Sequence, residues 1–478
     1  MKHQNSVTSS LRPVTLPGSG GADQDCQASS AAEHRSRLAA AGERRNEAGR
    51  DLKRESPRIT RRRFLGYTGA MALPYAITSG VLGSQGRPAA GERIVLGAIG
   101  LGGRAMGQGL LRNFLAEPDV QMVAVCDVQK GRREAGQAAV NDTYGNKDCK
   151  AYRDLRDLLA RPDIDAVVIA TGDRWHALAS LLAAKEGKDV YCEKPMSLTI
   201  AEGRAVADTM RRYARVYQCG TQRRSDPRYA YAVRVARSGK LGRLQTVYAY
   251  TPGFVPNIGD FWARPPEPEP DRETVDWDLW LGPPAWRPYN SAYIGGLGGW
   301  SHVPDLGGGG ITDWGAHQAD LAQAANHAEA TTVVECEQTH RGQVVTKYAN
   351  GVKLVFQEGL GDDVLKARFE GTEGWIVVGD HTNLVSDPPS LATDYAGSLQ
   401  KGQPAANHIR IFLDCIRSRQ DPVCNAEVAH RATTACHLAN ICVCLRRPIK
   451  WDPATEAFVG DETADRMRSR AAREPWQW

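Results

Sequence analysis

"RIVLGAIGLGGRAMGQGLL", residues 93–111, decides how the chain reads. An apolar run from Ile94 to Ile99 stops at a glycine, and a glycine-rich step then opens a helical pattern. Gly100-Leu101-Gly102-Gly103-Arg104-Ala105 fits G-x-G-x-x-G/A. In such a loop Gly100 permits the tight turn, Gly102 lets the backbone approach a pyrophosphate, and a small residue at Ala105 lets helix pack on strand. The helix N-terminus then faces the phosphates. A second strand, "VQMVAVCD" (120–127), ends in Asp127 at the distance expected of a ribose partner. That carboxylate would accept from both ribose hydroxyls and repel a 2′-phosphate, which favours NAD(H) over NADP. Lys130, Arg132 and Arg133 stand close by and keep NADP open.

Downstream the alternation continues. Strands are predicted at 163–171, 188–192 and 215–221, and helices at 176–187 and 200–213. The expected result is a doubly wound parallel sheet spanning 93–221 (an α/β Rossmann domain), whose ligands bind beyond the carboxyl ends of the strands. Thr171, Glu193 and Lys194 all fall at such ends. "DVYCEKPMSL" (189–198) shows how the lysine is presented. Pro195 cannot continue a sheet ladder and biases Lys194 toward an extended or turn conformation. An acid and an amine are thereby aimed at the cofactor crevice.

After residue 221 the pattern changes to longer alternating strands, at 244–251, 331–338, 344–358 and 367–379, with "ANGV" the plainest hairpin turn. The expectation is a second α+β domain over 222–450 with a mainly antiparallel sheet, followed by a C-terminal tail, 451–478. The loop 252–300 holds Trp262, Trp277, Trp280, Trp286 and Trp300. Most are expected to pack internally, but such faces also stack on sugar rings, and Trp300 is taken as a candidate substrate contact. "LGGGGITDWGAHQADLAQAA" (306–325) leads a glycine run into a helix that sets Asp313 and His317 four residues apart on one face, with Asp320 a further turn along. A Lys/Asp/His group is suited to removing a hydroxyl proton while hydride leaves the same carbon.

At 478 residues the chain is long enough for two ordinary domains, and its net charge of +5 is concentrated at the front. Residues 1–63 carry 13 Lys/Arg against 7 Asp/Glu, leaving 47 against 48 in the remainder. The body therefore lacks the basic surplus of a nucleic-acid binder. Eleven cysteines occur without a CxxC pair. Cys126, Cys192 and Cys219 sit in apolar runs and read as buried small hydrophobes, so neither a disulfide framework nor a metal site is assigned. Residues 1–57 read as a disordered leader. In 58–91, Arg61-Arg62 after Thr60 and before Phe64-Leu65, with a weakly apolar stretch behind, resembles a twin-arginine export signal. A cargo folded before export, with its dinucleotide already loaded, suits that route to the periplasm or cell envelope.

The motifs "GAIGLGGRA", "ATGDRWHA", "CEKP" and "GGGGITDWGAH" together resemble the Gfo/Idh/MocA family (glucose–fructose oxidoreductase, inositol dehydrogenase and relatives) over roughly residues 93–450, and its exported, twin-arginine members most. The resemblance implies a Rossmann domain joined to an open-faced sheet domain through which such proteins often form homo-oligomers. It also implies that Lys194 is the catalytic lysine and that Asp313 and His317 hold the acid/base positions, His317 taking the proton. Glu193 would lie near the cofactor's ribose or nicotinamide, and His176 on the nicotinamide side. Arg224, in "GTQRRSDP" (220–227), would touch substrate. One departure stands out. Relatives often read T-P-D-H-W-H, where this chain has Thr171-Gly172-Asp173-Arg174-Trp175-His176. The expected activity is NAD(H)-dependent oxidation or reduction of a secondary alcohol on a sugar, cyclitol or glycoside. A redox-neutral glycoside hydrolase using transient sugar oxidation, and a non-catalytic sugar sensor, are the other readings.

Overall fold

Six strands, β1 (Ile94–Ile99), β2 (Val120–Cys126), β3 (Lys150–Tyr152), β4 (Ala166–Ile169), β5 (Asp189–Cys192) and β6 (Tyr217–Cys219), form one sheet in the order β3-β2-β1-β4-β5-β6. All pairs are parallel, and the order is that of a dinucleotide-binding fold with its switch point between β1 and β4. The computed structural model describes residues 86–252, 264–359, 366–380, 384–399 and 407–477. The leader, the twin-arginine motif and Trp262 lie outside the described residues.

Helices α1 (Leu110–Leu115), α2 (Lys130–Tyr144), α3 (Leu155–Leu159), α4 (Asp173–Lys185) and α5 (Ile200–Arg212) accompany the sheet. Every residue of β4 and β5 is buried, as expected of parallel strands covered on both faces. The glycine loop does not open directly into an α-helix. Gly103–Gly107 makes one wide turn, closed by Gln108 N–H to the Gly103 carbonyl at 2.8 Å, and α1 begins only after Gly109, whose φ is 75°. The left-handed glycine ends the first turn and re-aims the chain.

The second sheet has nine strands, adding β7 (Leu244–Thr251), β8 (Glu335–Gln338), β9 (Val344–Lys347), β10 (Lys353–Glu358), β11 (Ala367–Gly371), β12 (Trp375–Val378), β13 (Val385–Asp387), β14 (Ile449–Asp452) and β15 (Ala457–Phe458), in the order β13-β12-β11-β7-β10-β9-β8-β14-β15. Among these described strands only β7 and β10 pair in parallel. The β9–β10 turn places Gly351 at φ 89°, which a side chain would strain. Along β7, β11 and β12 buried and half-exposed residues alternate. The inward set packs on α6 (Pro227–Arg237), α7 (Gly309–Asp313), α8 (Gly315–Ala325) and, after α9 (His408–Ser418), α10 (Ala426–Leu445).

The two domains are not consecutive stretches of chain. Helix α9 returns to the first sheet, where Phe412 meets Tyr191 edge-on at 5.8 Å between ring centroids. The segment 451–478 is not a loose tail. It supplies β15, and Trp476 is 4% exposed within the first domain's core, 5.1 Å from the Trp175 ring. A strap from the second domain also lies along the β2–α2 loop. Lys130 N–H donates to the Thr274 carbonyl (2.9 Å) and Asp276 N–H to that of Val128 (3.2 Å).

Candidate active site

One cavity of about 530 Å³ runs from the glycine loop across the carboxyl ends of β1, β2, β4 and β5 to the start of α8. Its cofactor end is shaped by backbone. At Gly100, φ 86°, an added Cβ would lie 2.7 Å from the Ala170 carbonyl and the Thr171 nitrogen, so no side chain fits there. Gly102, Gly103 and Arg104 line the cavity, whereas Ala105 is buried behind the loop. The Asp127 carboxylate at the end of β2 accepts from Leu101 N–H (2.7 Å) and Gln129 N–H (2.9 Å). Burial lifts this carboxyl above its usual range, and those two N–H groups pull the other way. The oriented acid, the side-chain-free turn and the exposed loop backbone fit the ribose and pyrophosphate of NAD. Two of the cations that left NADP open are engaged: Arg133 donates to the Asp127 carbonyl (2.8 Å) and Arg132 to that of Ile294 (2.9 Å).

At the other end stand the groups able to move a proton. Lys194, just past β5, donates to Asp313 at the end of α7. Burial depresses the lysine's pKa, but Asp313 and Glu193 overcome that and raise it, so Lys194 stays an ammonium. His317, in the first turn of α8, is 1% exposed, and its Nδ1 has no hydrogen-bond partner among the described residues. Burial, then the charges of Arg223, Lys194 and Arg104, hold its pKa well below the ordinary histidine value. The imidazole is therefore neutral and able to accept a proton. The helix expected from the glycine run onward is broken at Trp314, which ends α7 and precedes α8. Asp313 and His317 nevertheless line one cavity.

Glu193 accepts from Arg104 Nε at 2.7 Å, and its second oxygen is buried without a partner among the described residues. Thr171 lines the wall between the two ends. His176 also lines it, yet both ring nitrogens face carbonyls, of Pro195 (2.7 Å) and Thr171 (3.2 Å). Burial takes its pKa down to about 4 despite these contacts. It ties the bend after Lys194 to the end of β4 rather than offering a free nitrogen to a ligand. Trp300 is half-buried and lines the cavity.

Arg224 is a correction. Its guanidinium pairs with Asp320 (3.0 Å) and Glu329 (2.8 Å) outside the cavity. Its neighbour Arg223 lines the cavity instead, held by Asp380 (Nε to Oδ1, 2.9 Å) and lying over the Trp314 ring. A short turn at Gln222–Ser225 sets which of the two arginines points inward, and sequence spacing carries no signal for that phase. Two further cavity residues, Asp173 and Arg174, were visible only as members of a loop. Asp173 is 6% exposed; burial, with the negative Asp313 nearby, raises its carboxyl to about 7.

Comparison with known proteins agrees with this layout. Two profiles of one family match, "oxidoreductase family, NAD-binding Rossmann fold" over residues 94–221 and "oxidoreductase family, C-terminal alpha/beta domain" over 245–478. Inositol 2-dehydrogenase of Salmonella typhimurium is 34% identical over 140 residues, 29% of this chain and 40% of that protein. The chain thus aligns with less than half the length of that relative. The scyllo-inositol 2-dehydrogenase (NAD(+)) of Bacillus subtilis is 25% identical over 328 residues, 64% of this chain and 81% of its own. A glycosyl hydrolase family 109 protein of Saccharopolyspora erythraea is 36% identical over 122 residues, 25% of this chain and 26% of its own. The scyllo-inositol dehydrogenase of Lactobacillus casei, solved with NAD(H) and scyllo-inositol, shares the fold at a TM-score of 0.51 and 17% identity, over 75% of this chain and 99% of that one. Matched in both of its domains, the chain belongs to the Gfo/Idh/MocA oxidoreductase family, with residues 94–221 as that family's NAD-binding Rossmann fold.

Proposed function

We propose that the protein is an NAD-dependent dehydrogenase acting on a secondary alcohol of a cyclitol, sugar or glycoside. The observation that carries this reading is the buried, neutral His317 imidazole, whose Nδ1 has no partner among the described residues, in the same cavity as the Lys194–Asp313 pair and the glycine loop. Bound nicotinamide supplies the hydride acceptor. Lys194, held by Asp313, donates to the alcohol oxygen, and a ring nitrogen of His317 takes the hydroxyl proton. The ammonium so close to the imidazole disfavours a lasting imidazolium, which leaves the proton free to move on once the carbonyl has formed.

The test is a panel of inositols, free sugars and aryl glycosides incubated with purified protein, with and without added NAD, following nicotinamide absorbance and aglycone release together. Sustained NADH formation that depends on added NAD supports the dehydrogenase. Aglycone release without accumulating NADH would replace it with redox-neutral glycoside hydrolysis, the second reading, which the family 109 relative favours. Ligand binding with no turnover on any member of the panel would leave a sensor.

The same reading includes export by the twin-arginine route, supported by Arg61-Arg62 ahead of Phe64-Leu65. Cell fractionation of wild type and an Arg61→Lys/Arg62→Lys variant tests it, and cytoplasmic retention of both would end it. Self-association through the outer face of the nine-stranded sheet also belongs to this reading. The half-buried Tyr248, Tyr250, Trp375 and Val377 on that face support it, and sedimentation of a Tyr248→Glu variant against wild type decides it.

A further inference from the structure

Arg174 occupies an unusual place for a cation. It is 5% exposed, in the first turn of α4, at the cavity wall. Its Nε and Nη2 both donate to the Trp280 carbonyl, at 2.9 and 2.7 Å. The guanidinium lies 3.6 Å from the centroid of the Trp280 ring and 5.7 Å from that of Trp300, and both tryptophans line the cavity. Nη1 is buried with no hydrogen-bond partner among the described residues. A buried cation with an unmet donor is destabilising, and an apolar residue of similar volume at such a site is often neutral or stabilising. Fold stability alone therefore does not account for an arginine here.

The space it fills belongs to its neighbour. A Cβ added at Gly172 would stand 3.3 Å from Cζ of Arg174, closer still to Nη1, and 3.6 Å from Cη2 of Trp300. Gly172 has φ −83° and ψ 157°, values any residue adopts, so backbone conformation does not require glycine there. The guanidinium does. The two positions at which this loop departs from T-P-D-H-W-H are thus one steric unit, a missing side chain that makes room for a longer one.

We propose that Arg174, seated in the space left by Gly172, is a positioning residue that holds Trp280 and Trp300 as the substrate-side wall of the cavity. It acts through the tryptophans, pinning the second domain's strap to the first turn of α4. The proposal rests on the dehydrogenase reading for its kinetic consequence, but not for its geometry.

The test is a double-mutant cycle of Gly172→Ala and Arg174→Met in the full-length protein. Gly172→Ala displaces the guanidinium without removing it, and the end of an arginine side chain can move without unfolding its surroundings. Because wall contacts act on substrate binding, each single variant is expected to raise KM for the best polyol about 10-fold or more and to lower kcat much less. NADH affinity, read by fluorescence titration, stays within about 2-fold, since neither the glycine loop nor Asp127 is substituted. The double variant matches Arg174→Met alone, because the new methyl no longer meets a guanidinium. Thermal stability of Arg174→Met does not fall in parallel with activity, as it would for a residue that only supports the fold. KM effects that multiply in the double variant, or an unchanged KM in Arg174→Met, would overturn the proposal. If the wild type oxidises no polyol, the dehydrogenase reading fails and energy transfer from tryptophan to bound NADH decides this one. Transfer that changes alike in all three variants supports a displaced wall, and unchanged transfer refutes it.

Discussion

At the level of single residues, the site separates the roles of its three polar groups by environment. Lys194 is kept charged by Asp313 and Glu193, and His317 is kept neutral by burial and by its cationic neighbours. In the proposed reaction the lysine is thus the donor and the histidine the base, an assignment that residue types leave open. Replacing His317 with Ala is expected to lower kcat by about 10²- to 10⁴-fold, the usual contribution of a positioned base, with NADH binding retained in a fluorescence titration. The acid limb of the wild-type kcat/KM profile should lie below the ordinary histidine value of about 6.5. Asp173 gives a second pH prediction, of opposite sign. Its folded-state carboxyl titrates at about 7 against 3.8 for the free group, so the folded protein binds the extra proton between those values. The stability from this group is complete below the unfolded value and is lost as pH rises through 7. Asp173→Asn removes that loss. Urea titrations should show the variant gaining on wild type by on the order of 1 kcal/mol or more between pH 5 and pH 8, and a constant difference would contradict the assignment.

Elements place these residues more than their neighbours in sequence do. The turn after β1 tolerates no side chain at Gly100 because the chain leaving β4 runs directly against it. Gly100→Ala combines a left-handed conformation with a backbone clash that no rotamer relieves. It is expected to cost about 2–4 kcal/mol in denaturant unfolding and to weaken NADH binding with it. Helix α5 shows the opposite case, an element whose boundary is written locally. Thr199 accepts from Glu202 N–H (3.2 Å), and Glu202 returns the bond to Thr199 N–H (3.0 Å). Thr199→Ala should lower stability by about 1 kcal/mol and leave turnover unaffected.

For the molecule as a whole, the first domain is finished by chain that comes long after it. Helix α9 closes one face of its sheet, and Trp476 closes part of the other against Trp175. Trp476→Ala is expected to destabilise by about 3 kcal/mol or more, as large aromatic truncations in cores do. Because Trp175 stands between Arg174 and His176 and donates to the Leu279 carbonyl at 3.0 Å, the loss should also raise KM. Calorimetry and kinetics on one preparation would show both effects together, and a drop in stability with unchanged KM would mean that the C-terminal contact is remote from the site.

The strand–glycine–helix pattern at 93–111, the acid at Asp127 and the lysine before Pro195 were legible in sequence because each is a local device: a period, a turn residue, a proline. The same holds for β7, whose alternation from Leu244 to Thr251 matches the observed strand at both ends. What tertiary structure alone decided is which side chains meet. Arg223 rather than Arg224 faces the cavity, His176 is consumed by two carbonyls, and Arg174 borrows the space of Gly172. Those outcomes depend on the phase of short turns and on contacts that span 19 positions for His176 and Pro195, 96 for Arg224 and Asp320, and 106 for Arg174 and Trp280. A local pattern holds no information about them, because the partner that settles each one is brought there only by packing.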